Sequence, residues 1–228
     1  MKKQTWILAF FVALGADVAG IQTGNETLQL ISKPLILPLL AVYFLTGTGA
    51  VSSPLKKWIL AALFFSWGGD VLLMFQDKND LYFLLGLSSF LLAHIFYILF
   101  FHRVRISENI KSNPWYLLLV VLYYLALISW LSPYLGEMKL PVRIYGVVIS
   151  TMFMMALHMP GLRKKSAGVW MLAGACFFVL SDSLLAVNKF YRSFEAAGIG
   201  VMLTYGLAQL FIVKGAIEYL RGQQHSSL

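Results

Sequence analysis

Two aspartates set inside apolar stretches are the residues of this sequence best suited to chemistry. Asp70 lies in the segment Gly-Asp-Val-Leu-Leu-Met that begins at Gly69, and Asp182 lies in Ser-Asp-Ser-Leu-Leu-Ala, which begins at Ser181. An ionised Asp at the centre of a bilayer costs at least ~3 kcal/mol, so each residue requires an explanation. Two carboxyls can divide the roles of general acid and general base, whereas a single one also serves as a hydrogen-bond or ion-pair partner between helices.

The spacing of the two aspartates favours a shared role. When the chain is shifted by 112 residues against itself without gaps, the coinciding pairs are Trp58 with Trp170, Phe65 with Phe177, Asp70 with Asp182 and Gly86 with Gly198. Leucine matches are common in a Leu-rich chain, but matches of Trp, Asp and Gly in one frame are not. The third and fourth apolar segments therefore resemble the seventh and eighth. With four segments between them, the copies run in the same direction, which predicts a parallel repeat about an axis along the membrane normal.

Composition places the chain in a membrane. Of its 228 residues, 59% are hydrophobic and 12% are charged, against about 25% charged in soluble domains. The net charge of +8 would suit a nucleic-acid partner, but the basic residues lie in short clusters between apolar runs. We therefore expect no nucleic acid among the partners, and the lipid bilayer as the surroundings. Nothing in the sequence indicates an oligomeric state.

Eight segments are long and apolar enough to span a bilayer, which takes about 20 residues. They lie at about 6–22, 29–46, 57–75, 81–102, 114–132, 141–158, 168–188 and 194–217. No connection is long enough for a second domain. The sequence predicts an all-α, polytopic membrane helical bundle in which residues 1–228 form a single eight-helix transmembrane domain.

Lys and Arg residues predict the orientation. If the N-terminus is cytoplasmic, twelve of the 18 Lys and Arg residues lie on the cytoplasmic side, Lys2 among them. The six on the outer side are Lys33, Lys78, Lys139, Arg143, Lys189 and Arg192. Since positive charge accumulates inside, we expect both termini in the cytoplasm. The chain is accordingly predicted to be a multi-pass protein of the bacterial inner membrane.

Several polar residues fall at the depth of the aspartates, and residues of one depth can converge on an interior pocket. At 1.5 Å per residue, this outer band contains Asp17, Lys33, Asn188 and Lys189 besides Asp70 and Asp182. Asp17 can instead be a structural partner of Lys33, and Lys33 can extend to the headgroups or bind a phosphate. Counting places His94 roughly 20 Å from the outer surface, well below the carboxylates. His94 is either a satisfied interior histidine or part of a cavity wall, to which Tyr97, Tyr205 and Gln209 are further candidates.

Motifs for other chemistries are absent from the sequence. It contains no Gly-rich phosphate loop, no His-Glu-x-x-His and no Gly-x-Ser-x-Gly elbow. One cysteine, Cys176, and four scattered histidines do not form a metal-binding pattern. We therefore expect neither a metal nor a cofactor.

These segments together resemble the YhhN-like lysoplasmalogenase family. The resemblance is carried by Lys33-Pro34, Gly69 to Met74, Gly86, Phe90, Ala93 to Tyr97, Ser181 to Ala186, Lys189-Phe190 and Tyr205 to Gln209. It implies an integral membrane hydrolase that cleaves the vinyl ether bond of lysoplasmalogens, giving a fatty aldehyde and glycerophosphoethanolamine or glycerophosphocholine. The conserved aspartates of the family correspond to Asp70 and Asp182.

The implied reaction suits a carboxyl pair without a metal. Protonation of the enol-ether β-carbon gives an oxocarbenium ion, water adds to it, and the hemiacetal collapses to aldehyde and alcohol. One carboxylic acid and one carboxylate are needed, and the sequence does not say which aspartate is the acid. For binding of the lysophospholipid, Lys33 is the candidate for the phosphodiester, and His94 and Tyr205 are candidates for a deeper alkyl-chain cavity. The remaining candidates for substrate binding are Asn188, Lys189 and Gln209.

Two other functions remain open at this stage. A parallel repeat with an intramembrane carboxylate pair also fits a small proton-coupled transporter or lipid translocator, with the aspartates as proton relays. A scaffold with structural aspartates is the third interpretation.

Overall fold

The computed structural model describes residues 3–49 and 51–225, in which all regular structure is helical. Lys2, counted above among the cytoplasmic charges, lies outside the described residues. The eight long helices are α1 Lys3–Thr23, α2 Glu26–Thr48, α3 Lys56–Leu73, α4 Asp80–Ser107, α5 Pro114–Leu131, α6 Lys139–Ala156, α7 Lys165–Ala186 and α8 Ala197–His225. Short 3-10 turns follow α5 and α6, and a π-helical turn, Val187–Tyr191, continues α7.

The predicted all-α, multi-pass membrane bundle is confirmed. In the described part of the chain, seven of the eight helices are long and apolar enough to cross a membrane. The remaining helix, α3, has 18 residues, but three of them are charged. Lys56 and Lys57 lie in its first turn, and Asp70 lies near its end. This helix packs between α2 and α4, and Asp70 faces the interior of the bundle.

Asparagine caps explain where three of the helices begin. The side chains of Asn25, Asn79 and Asn113 accept hydrogen bonds from the backbone N–H groups of Leu28, Leu81 and Trp115 at 3.0, 2.8 and 3.1 Å. Such a cap satisfies a donor that the first helical turn leaves unpaired. The connections between helices can therefore be short.

Two prolines inside α2 create a link between helices. Pro38 has no N–H group, so the carbonyl of Pro34, four residues earlier, lacks its usual intrahelical donor. The indole Nε1 of Trp67 on α3 donates to that carbonyl at 3.0 Å. Because lipid supplies no substitute donor, this bond favours a fixed position of α3 against α2.

The helix packing follows a regular pattern. The pairs α1–α2, α3–α4, α5–α6 and α7–α8 are in contact, and α2 packs on α3 as α6 packs on α7. The contact of α4 with α6 likewise has its counterpart in that of α8 with α2. A parallel repeat would produce such neighbours, but the internal repeat itself stays a prediction. Six aromatic residues of the described chain are fully buried in the core: Phe10, Phe44, Tyr97, Phe100, Phe101 and Phe178.

Candidate active site

The first carboxyl, Asp70, lies on the buried face of α3 and is only 4% exposed. The hydroxyl of Tyr205 on α8 donates a hydrogen bond to its Oδ2 at 2.8 Å. Gly69 allows α4 to approach at this level, because a Cβ there would lie 2.5 Å from the ring of Phe90. The side chain of Asp70 is thus positioned by α3, α4 and α8 together.

The second carboxyl, Asp182, has a matching arrangement on α7. The hydroxyl of Tyr145, on α6, donates a hydrogen bond to Oδ2 of Asp182, whose side chain is 16% exposed. In both aspartates, Oδ1 forms no hydrogen bond with any described residue. Each carboxyl is therefore fixed through one oxygen by a tyrosine and keeps the other oxygen available.

His94 lies beside Asp182. Its Nε2 is 3.8 Å from Oδ2 of Asp182, and its ring packs edge-on against Tyr145 and Phe178. Depth counting from the sequence had separated His94 from the carboxylates, but its side chain reaches Asp182. The π-helical turn extends α7 to Tyr191, beyond the predicted end of this segment at 188.

Both carboxyls line one cavity of about 290 Å³. The cavity lies at the end of the bundle that carries the α1–α2, α3–α4 and α7–α8 connections. In the described part of the chain, every long helix except α5 contributes to its wall. Besides Asp70, Asp182, Tyr145 and Tyr205, the polar or charged wall residues are Gln29, Lys33, Gln76, Ser181 and Asn188.

Lys33 is the cation of this cavity wall. It makes no ion pair within 4 Å with any described residue, but it is close enough to Asp17 and Asp70 to act on both electrostatically. Asp17 is fully buried and accepts a hydrogen bond from Ser32 at 3.4 Å. The amino group of Lys33 is therefore available to a negatively charged ligand.

Two neighbouring candidates from the sequence, Asn188 and Lys189, differ in whether they line the cavity. Asn188 lies on the cavity wall, where its Oδ1 accepts the backbone N–H of Phe194 at 3.2 Å. Lys189 is exposed, with its amino group 4.9 Å from the ring centre of Phe83, and does not line the cavity.

Gln209 and Tyr97 lie behind the site. Gln209 is fully buried, donates to Ser66 at 2.9 Å and accepts the hydroxyl hydrogen bond of Tyr97. The structure thus brings Lys33, Asp70, Asp182, Asn188 and Tyr205 to one cavity, while His94, Lys189 and Gln209 lie outside its wall.

The cavity is also lined by Tyr145, Gln29 and Gln76, which were not predicted from the sequence. A tyrosine in an apolar segment has no distinguishing pattern. The 112-residue offset that relates the two aspartates pairs Tyr145 with Lys33, a residue of another type, so the internal comparison gave no signal for it.

Comparison with known proteins relates this chain to a family of enzymes. The sequence matches the YhhN family over residues 28–216, and the chain belongs to that family. The lysoplasmalogenase of Mycobacterium tuberculosis (strain CDC 1551 / Oshkosh) is 28% identical over 210 residues, covering 90% of this chain and 76% of the relative.

Two human proteins are also similar. Lysoplasmalogenase TMEM86A is 30% identical over 202 residues, covering 84% of this chain and 80% of the relative. Lysoplasmalogenase TMEM86B is 31% identical over 186 residues, covering 80% and 73%. No solved structure is significantly similar to this chain.

Proposed function

We propose that this chain is an integral membrane hydrolase that cleaves the vinyl ether bond of lysoplasmalogens. The products are a fatty aldehyde and glycerophosphoethanolamine or glycerophosphocholine. The similarity to lysoplasmalogenases over most of the chain supports this reaction. The observation that carries it is the pair of carboxyls, Asp70 and Asp182, on one cavity, each held by a tyrosine hydroxyl.

The two carboxyls supply the acid and the base. One, in its protonated form, transfers a proton to the β-carbon of the vinyl ether, and the other, as carboxylate, stabilises the oxocarbenium ion and takes a proton from the attacking water. Burial of both groups raises the strength of these electrostatic effects, as in glycosidases that act through a similar cation. We propose that the reaction needs no metal and no cofactor.

The cavity receives the polar part of the lipid. At about 290 Å³, it has room for the glycerol, the phosphodiester and the vinyl ether. Lys33 binds the phosphate, and the amides of Gln29, Gln76 and Asn188 surround the headgroup. The alkyl chain runs along apolar wall residues, which are Leu73, Phe83, Leu87, Phe90, Val201 and Met202.

Both termini are proposed to lie in the cytoplasm, with the protein in a bacterial inner membrane. Support comes from the excess of Lys and Arg at the end of the bundle opposite the cavity. In this orientation the cavity lies toward the outer side of the membrane. The transport alternative has no support among the relatives described above, each of which is named a lysoplasmalogenase.

The test is release of aldehyde by the purified protein in lipid nanodiscs. A 1-alkenyl lysophospholipid is the substrate, and the 1-alkyl and 1-acyl lysophospholipids of equal chain length are matched controls. We expect aldehyde from the 1-alkenyl lipid alone, because only a vinyl ether gives an oxocarbenium ion on protonation of carbon. Absence of aldehyde from folded protein would contradict the proposal, as would equal turnover of the 1-alkyl lipid.

A further inference from the structure

Asp70 and Asp182 each accept a hydrogen bond from a tyrosine, but the other polar groups near them differ. Asp70 lies within the electrostatic reach of Lys33, whose positive charge favours the ionised form of a carboxyl, and this effect is larger than the opposing one of Asp17. Asp182 instead has Nε2 of His94 at 3.8 Å, and no ion pair joins it to a Lys or Arg of the described chain. The site is therefore asymmetric in the feature that decides which carboxyl keeps a proton.

The hydrogen bonds of His94 determine what it offers to Asp182. Its Nδ1 lies 2.7 Å from the carbonyl of Phe90, and because a carbonyl only accepts, Nδ1 carries the proton. In the neutral ring, Nε2 is then an acceptor, and this buried atom has no hydrogen-bond partner among the described residues. His158 has the same arrangement, with Nδ1 at 2.9 Å from the carbonyl of Met154 and Nε2 accepting the N–H of Asn113.

Four groups from the packed helices face Asp182, the carboxyl nearest to the unpaired Nε2 of His94. They are His94 from α4, Tyr145 from α6, Asp70 from α3 and Tyr123 from α5, whose hydroxyl is bonded to Ser183 at 2.6 Å. The hydroxyl of Tyr145 is already committed to Oδ2 of Asp182. A proton on Asp182 can be donated to Nε2 after a shift of about 1 Å, since the terminal torsion of an Asp is broad.

We propose that Asp182 is the general acid and Asp70 the general base, and that His94 is a positioning residue that holds the proton of Asp182 by accepting a hydrogen bond at Nε2. This inference rests on the proposed vinyl ether hydrolysis. It assigns roles that the sequence left open, and it moves His94 from a wall of the lipid cavity to a place behind the acid.

The assigned roles give a balanced cycle. The O–H of Asp182 turns from Nε2 of His94 toward the substrate, and its proton and the π electrons of the vinyl ether form the new C–H bond, which leaves an oxocarbenium ion and an Asp182 carboxylate. Water adds its oxygen to the cation and passes one proton to Asp70, giving a hemiacetal. The hemiacetal hydroxyl then returns a proton to Asp182, the carbon–oxygen bond to glycerol breaks, and Asp70 protonates the departing oxygen. Both carboxyls regain their starting states.

Infrared difference spectroscopy in nanodiscs tests the assignment at neutral pH without substrate. Protonated carboxyls absorb apart from carboxylates, and wild-type minus variant spectra remove the other acids, including Asp17. We expect Asp182→Asn to remove a protonated-carboxyl band and Asp70→Asn to remove carboxylate bands. Loss of the protonated band from Asp70→Asn instead overturns the assignment. So does loss of carboxylate bands alone from Asp182→Asn, the result expected if His94 is a cation paired with an ionised Asp182.

The positioning role of His94 has a separate readout. His94→Leu is expected to shift the Asp182 band and to lower kcat about tenfold with KM unchanged, the effect of one lost hydrogen bond. His94→Gln, whose side-chain oxygen can accept, is expected to recover part of both effects, and it replaces the Leu variant if that one does not fold. His158→Leu is the matched control.

An Asp182 band that is unchanged in both His94 variants overturns the role of His94. The spectra need no turnover, so the two tests are independent. A wild-type protein that releases no aldehyde would reject the proposed function, and the spectra would still decide which carboxyl is protonated.

Discussion

The indole of Trp67 donates a 3.0 Å hydrogen bond to the carbonyl of Pro34. Pro34 directly follows Lys33, and Trp67 lies three residues before Asp70, so this bond joins the two backbones that carry one half of the site. The free carbonyl exists because Pro38 cannot donate to it. A sequence feature that weakens α2 is thereby converted into a contact that fixes the distance between Lys33 and Asp70.

A double-mutant cycle tests this link. Trp67→Phe leaves a carbonyl unpaired and is expected to destabilise the protein by about 1–3 kcal/mol. In a Pro38→Ala background the cost is expected to be smaller by about 1 kcal/mol, because the alanine restores an intrahelical N–H donor. Thermal unfolding in detergent measures both, with Trp130→Phe, at a 46% exposed residue, as the control. Equal costs in the two backgrounds would contradict the link.

Removal of either carboxyl is expected to stop the reaction. Asp70→Asn and Asp182→Asn keep the shape of the side chain but cannot exchange the proton, so aldehyde release should fall about a hundredfold or more. The measurement is turnover of the 1-alkenyl lipid by protein with unchanged helix content. Asp77→Asn, an exposed residue in the α3–α4 connection, is the matched control. Near-normal turnover in both variants would rule out carboxyl catalysis.

The tyrosine hydroxyls are expected to contribute through the carboxyls that they hold. Tyr145→Phe and Tyr205→Phe each remove one hydrogen bond to a carboxyl, and kcat should fall about 10-fold to 100-fold with little change of KM. The control is Tyr134→Phe, at a residue that is 50% exposed. A rise in KM alone would instead indicate that the hydroxyls contact the substrate.

Lys33 is expected to act on the phosphate. Lys33→Met should raise KM for the 1-alkenyl lysophospholipid about tenfold, the effect of one lost charge-assisted contact. The same variant should show no rise in KM for 1-alkenylglycerol, which lacks the phosphate. Lys78→Met, at an exposed residue in the α3–α4 connection, is the control. A matching rise in KM for both substrates would contradict phosphate binding.

Helix positions were largely predictable because each must present a long apolar surface. All eight segments correspond to helices, and the largest differences are the extra turns at the C-terminal ends of α4 and α8, which reach Ser107 and His225. Polar residues such as Arg103 and Glu218, which accepts a hydrogen bond from Ser166, do not end a helix whose neighbours or aqueous surroundings satisfy them. Hydropathy alone therefore underestimates its length.

Side-chain contacts between distant segments were not predictable from hydropathy. The hydroxyl of Tyr97 donates to the side-chain oxygen of Gln209, which lies 112 residues further along the chain. This is the offset of the two aspartates, yet single-residue depth counting did not pair Tyr97 with Gln209. Depth counting also separated His94 from Asp182, although their side chains lie 3.8 Å apart in the folded chain.

The sequence by itself determined the class of protein and its two principal acids. Long apolar segments require membrane helices, and two carboxyls within them are too costly to be incidental. Only the tertiary structure decided that Asp70 and Asp182 share a cavity, that Tyr205 and Tyr145 hold them, and that Lys33 and His94 make their surroundings unequal. Local sequence sets helix formation through the backbone and hydropathy, whereas these six residues come from six helices whose approach depends on the packing of the whole bundle.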